Sequence, residues 1–185
     1  MFCSFLFALG LVGCAAEQEG LPPEQPSFYV SMASARAEVD ARAAASMISG
    51  FRRNNGLGPV VVDRELMRLA REHAREMAAR NEMGHNVGRR FEDRIANSTV
   101  RARAVAENVG AGYHTLAEAF SGWRDSPGHR ANMLNREVTR IGIAAVYAPG
   151  SKYKVFWALI LASPNETQND KQNPGLWPFF GRPPT

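Results

Sequence analysis

The chain has 185 residues, of which 45% are hydrophobic and 22% are charged, and its formal net charge at pH 7 is +4. This length and composition predict one globular domain with a substantial core and flanking segments. The arginines are scattered along predicted helices and alternate with glutamates, as in Arg71-Glu72 and Arg75-Glu76. No basic stripe and no aromatic stacking motif accompanies the positive charge, so nucleic acid is excluded as an expected partner.

The beginning of the chain predicts a leader peptide. Residues 2–16 are apolar and uncharged, too short to span a membrane and suited to the core of a signal peptide. They contain Leu11-Val12-Gly13-Cys14, which resembles a bacterial lipoprotein signal with cleavage after residue 13 and lipidation of Cys14. The departure from that pattern is the lack of a Lys or Arg near Met1, and an ordinary secretory signal with an incidental Cys14 is the alternative.

Three segments are predicted after this leader. Residues 14–30 form a tether rich in Gln, Glu and Pro, residues 31–163 form the domain, and residues 164–185 form a tail rich in Pro, Asn and Gln. Because Cys3 would be removed with the leader, Cys14 would be the one cysteine of the mature chain. We therefore expect neither an intrachain disulfide nor a cysteine metal site. Lipidation of Cys14 predicts an extracytoplasmic domain that is lipid-anchored in the cell envelope (outer membrane or periplasm in a Gram-negative cell).

Helices are predicted in the first two thirds of the domain. The first begins near Ser31 or Ser34 and ends at residues 54–56, and a short extended piece at residues 60–62 follows it. Asp63 is the predicted N-cap of the second helix. The other predicted helices cover residues 91–96, residues 116–123 and the stretch from Pro127 to Leu134. Ser126 is predicted to cap the last helix, with Pro127 at its first position.

Strand signals follow these helices. Residues 139–147 and 153–161 predict a hairpin, and residues 110–112, Gly-Ala-Gly, predict a flexible turn after the apolar run 104–109. Residues 155–162 are apolar at every position, which is typical of a strand covered on both faces. Helices followed by a hairpin therefore predict an α+β fold with a layered sandwich.

Two of the four histidines stand out. His73 lies on the apolar face of the second helix and is interpreted as a packed core residue, while His114 is interpreted as a loop or near-cap residue. His85 and His129 each follow a glycine at the boundary of a predicted element, where a cleft can form.

Glu107 joins these two histidines as a candidate because it interrupts an apolar run, and a carboxylate in such a position needs a partner. Two imidazoles and a carboxylate suit zinc or another divalent ion, and the same groups suit acid–base chemistry. The spacing, 22 residues between neighbouring candidates, distinguishes neither.

Four ordered motifs carry a resemblance to a known family. They are Met83-Gly84-His85, Ala106-Glu107-Asn108-Val109, Trp123 followed by Ser126-Pro127-Gly128-His129-Arg130-Ala131-Asn132, and Ile141-Gly142-Ile143. Together they resemble the CAP superfamily of cysteine-rich secretory proteins, antigen 5 and plant pathogenesis-related proteins, and most of all its bacterial branch. The resemblance covers about residues 44–162.

The resemblance implies a three-layer α-β-α sandwich with a central antiparallel sheet. It also implies a cleft with two histidines and two acidic residues that in some members binds zinc or another divalent ion. The matching positions are His85, His129 and Glu107, while Ser126 stands where the second glutamate is expected and its neighbour Asp125 would point elsewhere. Asn108, Ser126 and Asn132 are expected to line the cleft.

Three functions are compatible with this picture. The favoured one is a non-catalytic binding module of the envelope, whose ligand is a divalent metal, a lipid, a small molecule or a protein. The lack of an obvious nucleophile favours it, since Ser126 is the expected helix cap and no triad can be assigned. The alternatives are a metal-assisted hydrolase or peptidase using His85, Glu107 and His129, and a purely structural lipoprotein.

Overall fold

A computed structural model of the chain describes residues 25–165. The predicted leader, Cys14, and most of the predicted tether and tail lie outside these residues. The described part contains one 3-10 helix, five α-helices and four strands. In chain order these are the 3-10 helix Ser27–Tyr29, α1 Ala41–Arg53, β1 Val61–Val62, α2 Arg64–Arg80, α3 Phe91–Ala96, β2 Val105–Ala111, α4 Leu116–Asp125, α5 Pro127–Met133, β3 Arg140–Ala148 and β4 Lys154–Ala162.

The strands form a single sheet in the order β1-β3-β4-β2. The hairpin of β3 and β4 and the pairing of β2 with β4 are antiparallel, as expected. The short edge strand β1 is the exception, because it runs parallel to β3 through the pairs Val61–Arg140 and Val62–Ile141. A parallel neighbour is possible because the long connection from α2 to α5 separates the two strands in sequence.

Strand β4 separates two hydrophobic clusters, and its side chains alternate between them. Trp157 and Leu159 face the cluster under α1, α4 and α5, whereas Phe156 and Ile160 face the cluster under α2 and α3. Residues 155–162 are all fully buried, which confirms the expectation of a strand covered on both faces. The fold is therefore α+β, with helices on both faces of a central sheet.

Two boundaries differ from the sequence-based predictions. The first long helix begins at Ala41 rather than near Ser31 or Ser34, because the Asp40 side chain accepts from the backbone N–H groups of Arg42 and Ala43. Residues 110–111 were predicted as a turn but continue β2, since Gly110 and Ala111 pair with Trp157 and Phe156. Among residues 25–165, no helix combines the length and apolar character that a membrane span requires.

Candidate functional site

Glu107 lies in the middle of β2, and its side chain is only 1% exposed. Its partner across the sheet is Ile160, which faces the α2 layer, so the carboxylate also points into that layer. Buried carboxylates need partners that compensate for the loss of water. Three side chains surround this one: His85, Arg94 and His73.

His85 is the accessible member of the group, with a side chain that is 50% exposed. Its Nδ1 atom lies 3.0 Å from Oε2 of Glu107. The hydrogen bond with Glu107 raises the pKa of His85 above its ordinary value, although partial burial works against this. When Nδ1 carries the proton shared with Glu107, the Nε2 atom of His85 is left available to the cleft.

Arg94, in α3, binds both oxygens of the Glu107 carboxylate. Its Nη1 donates to Oε1 at 2.8 Å and its Nη2 donates to Oε2 at 3.1 Å. Nη2 also donates to the backbone oxygen of His85 at 2.7 Å. This two-pronged contact is the geometry in which a guanidinium binds a carboxylate most strongly. Arg94 therefore fixes the carboxylate and the His85 backbone together.

His73, in α2, is fully buried, as predicted for a core histidine. It also belongs to the site, because its Nε2 lies 3.7 Å from Oε2 of Glu107 and 2.9 Å from the backbone oxygen of Gly84. Burial lowers the pKa of His73, although the charge of Glu107 opposes the shift. A neutral imidazole facing a carbonyl must carry its proton on Nε2. His73 thus holds the backbone just before His85.

The carboxyl group of Glu107 stays ionised in this setting. Its burial would raise its pKa, but hydrogen bonds from His85 and Arg94 and the nearby positive charges lower it below the ordinary value. Opposing charges and donated hydrogen bonds favour the ionised form of a carboxyl group. One buried negative charge is therefore matched by the guanidinium of Arg94 and by the protonated form of His85.

His129 lies in the other helical layer, in the first turn of α5. Its side chain is half-buried. Burial lowers the pKa of His129, and the charge on His85 lowers it further. No hydrogen bond joins the His129 ring to another side chain in residues 25–165, so both ring nitrogens remain available.

Asn108 and Asn132, two of the residues expected to line a cleft, connect β2 with α5. The Nδ2 atom of Asn132 donates to the Glu107 backbone oxygen at 3.2 Å and to Oδ1 of Asn108 at 2.9 Å. The Nδ2 atom of Asn108 donates to the backbone oxygen of His129 at 3.0 Å. Asn108 is fully buried. These bonds fix the helix turn that carries His129 against the strand that carries Glu107.

Ser126 does not cap α5 with its side chain, contrary to the prediction. Its backbone oxygen accepts from the N–H of Arg130 at 2.8 Å, and Pro127 at the first helical position has no N–H that would need an acceptor. Asp125 is exposed and pairs with Arg124 on the surface, away from Glu107. Neither residue supplies a second buried carboxylate.

The metal hypothesis can be tested against these contacts. In residues 25–165, no group of three or more His, Cys, Asp or Glu residues is arranged to hold a metal ion. His85 and His129 offer imidazole nitrogens, which suit zinc. Glu107 does not suit the role of a third ligand, because Arg94 and His85 already donate to both of its oxygens. It suits the role of the carboxylate that orients a ligating histidine.

Sequence reasoning missed Arg94 and underrated His73. Arg94 sits in a short helix beside other charged residues, and nothing in that pattern distinguishes a buried arginine from the exposed Arg89 and Arg90. His73 did carry a signal, since a histidine among apolar helix positions also needs a polar partner. That partner is the backbone oxygen of Gly84, which directly precedes His85.

The sequence and the fold of this chain are similar to those of known proteins. Residues 45–161 match the family model described as CAP, cysteine-rich secretory protein family. The Bacillus subtilis protein YkwD is 32% identical over 98 residues, which cover 51% of this chain and 38% of YkwD. A Bacillus subtilis membrane protein, YlbC, is 28% identical over 96 residues, covering 50% of this chain and 28% of YlbC. The chain thus spans less than two fifths of the length of these curated relatives.

Solved structures share the fold. An extracellular protein with an SCP domain from Bacillus anthracis superposes with a TM-score of 0.58 at 22% identity, over 66% of this chain and 39% of that one. An outer surface protein from Borrelia burgdorferi superposes with a TM-score of 0.59 at 18% identity, over 69% of this chain and 97% of that one. The family model covers well over half of the chain, and this chain therefore belongs to the CAP family of cysteine-rich secretory proteins.

Proposed function

We propose that this chain is a non-catalytic binding module that works outside the cytoplasm, and that its cleft at His85 and His129 takes a divalent metal ion. One observation carries the proposal: Arg94 donates to both oxygens of Glu107, at 2.8 and 3.1 Å. Together with His85, Arg94 gives this buried carboxylate three hydrogen bonds and a lowered pKa, so it is a poor general base. The hydrolase alternative depends on Glu107 in that role.

The contacts of His85 support the metal part of the proposal. Metal-binding histidines commonly donate their second ring N–H to a carboxylate, which fixes the ring and its tautomer. Glu107 stands in this relation to Nδ1 of His85, at 3.0 Å. An ion held by His85 and His129 has only two protein ligands, so water or a small ligand completes the coordination. Such an ion supplies a positive, coordinatively open centre for a polar ligand.

Calorimetric titration of the purified full chain with zinc chloride tests the metal site. We expect one ion per chain, with binding weakened strongly in His85→Ala and in His129→Ala. Glu107→Gln removes the carboxylate that orients His85, and a second-sphere loss of this kind is worth about 10–100-fold in affinity, provided that thermal denaturation shows the variant folded. His114→Ala is the matched control and leaves binding unchanged. If the wild-type chain binds no zinc at micromolar concentrations, the metal part of the proposal is wrong.

The same variants separate binding from hydrolysis. We expect no turnover of a fluorescent casein or of simple esters by the zinc-loaded wild-type chain. Turnover that disappears in both His85→Ala and His129→Ala would establish the hydrolase alternative instead. Turnover that survives both changes would point to a contaminant.

An extracytoplasmic location, with lipid attached at Cys14, completes the proposal. It is supported by the apolar residues 2–13 followed by Cys14, and by solved relatives described as an extracellular protein and an outer surface protein. Labelling of expressing bacteria with an alkyne fatty acid tests the attachment. We expect label on the wild-type chain and none on Cys14→Ser. An unlabelled wild-type chain recovered from the medium would favour the ordinary secretory signal.

A further inference from the structure

The two edges of the sheet differ in how their outward backbone groups are hydrogen-bonded. Strand β2 forms one edge, where side chains cover the outward carbonyls: Trp123 donates to Val109 at 3.1 Å and Asn132 donates to Glu107 at 3.2 Å. At the opposite edge, β1 pairs with β3 only at Arg140 and Ile141. Beyond this point, residues 143–147 of β3 have no strand beside them within the described part of the chain.

The backbone groups along this open edge lack good partners. The Asp63 N–H donates to the Ile141 backbone oxygen. The backbone N–H and C=O groups of every second residue from Ile141 onward therefore point away from β4. The outward N–H of Ile143 donates to the Sδ atom of Met67 at 3.2 Å, and a thioether is a weak acceptor. Within residues 25–165, no hydrogen bond is made by the outward groups of Ala145 and Tyr147. Unpaired edges of this kind are templates for strand addition.

A groove follows this edge. It is bounded by residues 34–39 on one side, by Met67, Arg71 and Arg75 of α2 on the other, and by residues 143–147 of β3 at its base. We call it the β3 groove. Its volume of 570 Å³ lies within the range of about 300–1,000 Å³ that is usual for ligand sites. At about 3.3 Å per residue, its base spans roughly 13 Å of extended chain.

The charged side chains that line the β3 groove are mostly positive. They are Arg36, Arg71 and Arg75, against the single carboxylate of Glu38. All three arginines are exposed, and none of their side chains has an ion-pair or hydrogen-bond partner among residues 25–165. Other arginines of α2 are neutralised, since Arg68 pairs with Glu65 and Glu72. Arg71 and Arg75 are four residues apart and therefore lie on the same face of the helix.

We propose that the β3 groove binds an acidic, extended peptide segment of another protein, which adds to the sheet as a strand beside β3. Main-chain hydrogen bonds to Ala145 and Tyr147 supply the affinity, and the three arginines select carboxylate side chains. A second copy of this chain fits the groove less well. Two copies paired through β3 would bring their Arg71 and Arg75 side chains together, and like charges at an edge oppose such pairing.

This groove is separate from the cleft of the proposed function, because β2, which carries Glu107, forms the other edge of the sheet. The two proposals can therefore fail independently. Zinc titration reports on His85 and His129, whereas peptide binding reports on Arg71 and Arg75.

Fluorescence anisotropy with the purified full chain tests the proposal. The probe is a fluorescein-labelled peptide of alternating valine and glutamate, compared with the same peptide carrying glutamine for glutamate and with a version N-methylated at every second residue. We expect the acidic peptide to bind, with an affinity that falls as salt rises. The double variant Arg71→Ala/Arg75→Ala is expected to bind it about tenfold more weakly, since two exposed ion pairs with the peptide are lost.

A matched control separates the effect of the groove arginines from the effect of a lower net charge. Arg64→Ala/Arg80→Ala removes two arginines from the same helix outside the groove and leaves binding unchanged. Ala145→Pro removes an outward N–H from the open edge and is expected to abolish binding, with folding checked by thermal denaturation. Where that variant does not fold, the N-methylated peptide, which cannot form the ladder, makes the same test.

Four outcomes overturn the proposal. The first is no binding of the acidic peptide at millimolar concentration, and the second is equal weakening by the groove and control double variants. The third is binding of the N-methylated peptide as tight as that of its parent, which would indicate a simple anion site. The fourth is a dimer, seen by analytical ultracentrifugation, that Ala145→Pro dissociates, which would make a second copy the occupant.

Discussion

The Nδ1 atom of His85 lies 3.0 Å from a carboxylate oxygen of Glu107, yet the two side chains differ greatly in exposure, at 50% and 1%. A buried, ionised carboxylate thus acts on a histidine that is open to solvent. The buried members of the site, Arg94 and His73, hold the backbone on either side of this contact, at His85 and Gly84 respectively. The exposed imidazole of His85 is therefore held by a buried charge network that faces the α2 layer.

The first prediction concerns the titration of His85. Its pKa is raised by Glu107, so an NMR titration of the metal-free chain should place it above the ordinary value of about 6.5. The stabilisation from this pair is complete below that value and is lost as the pH rises through the folded-state pKa. Glu107→Gln should lower the pKa of His85. Glu92→Gln, which removes a more distant and exposed charge, should lower it much less, and an equal drop in both variants would contradict the assignment.

The second prediction concerns Arg94, whose side chain is 2% exposed. Arg94→Ala leaves the Glu107 carboxylate buried without its guanidinium, and breaking a buried pair in this way costs about 3–5 kcal/mol. The free energy of unfolding, measured with urea, should fall by that amount. Arg94→Lys should recover only part of it, because an ammonium cannot bind both carboxylate oxygens and the His85 carbonyl in one plane.

The control for this change lies in the same segment. Arg90→Ala removes an arginine that is 68% exposed and that pairs with Glu92 on the surface. Its effect on the free energy of unfolding should stay within about 0.5 kcal/mol. If Arg94→Ala and Arg90→Ala lower the free energy of unfolding equally, the contact between Arg94 and Glu107 is not the stabilising element that its geometry indicates.

The layered fold could be predicted from sequence because its signals are periodic and local. The uninterrupted apolar run of residues 155–162 required cover on both faces, and the structure supplies helices there. Glu107 could be identified because it interrupts such a run. Arg94 could not, since whether an arginine is buried depends on the tertiary position of a distant carboxylate. The start of α1 was missed because Ser31, Ser34 and Asp40 are all good caps by residue type, and packing decides among them.

The third prediction concerns Thr115 and Ser126, the residues directly before and after α4. Thr115 caps α4 through a reciprocal pair of hydrogen bonds with Glu118, whereas Ser126 makes no side-chain cap for α5. Thr115→Ala should therefore lower the free energy of unfolding by about 1 kcal/mol. Ser126→Ala should change it by less than about 0.5 kcal/mol. Equal losses, measured by urea denaturation, would mean that Ser126 caps its helix in solution after all.

The last prediction concerns the contact between α2 and the sheet at Gly142. A Cβ added at Gly142 would lie 2.0 Å from the backbone carbon of Leu66 and 2.2 Å from the Met67 nitrogen. Helix backbone cannot rotate out of the way as a side chain can, so Gly142→Ala must push α2 from the sheet, and overpacking of this kind costs at least about 1–3 kcal/mol. Gly150→Ala, where no atom lies within 4 Å, is the control and should leave stability nearly unchanged. Because α2 carries His73 and packs over β3, the displaced helix should also perturb the NMR signals of His85. A Gly142→Ala chain as stable as wild type would show that α2 does not lie against β3 at this distance.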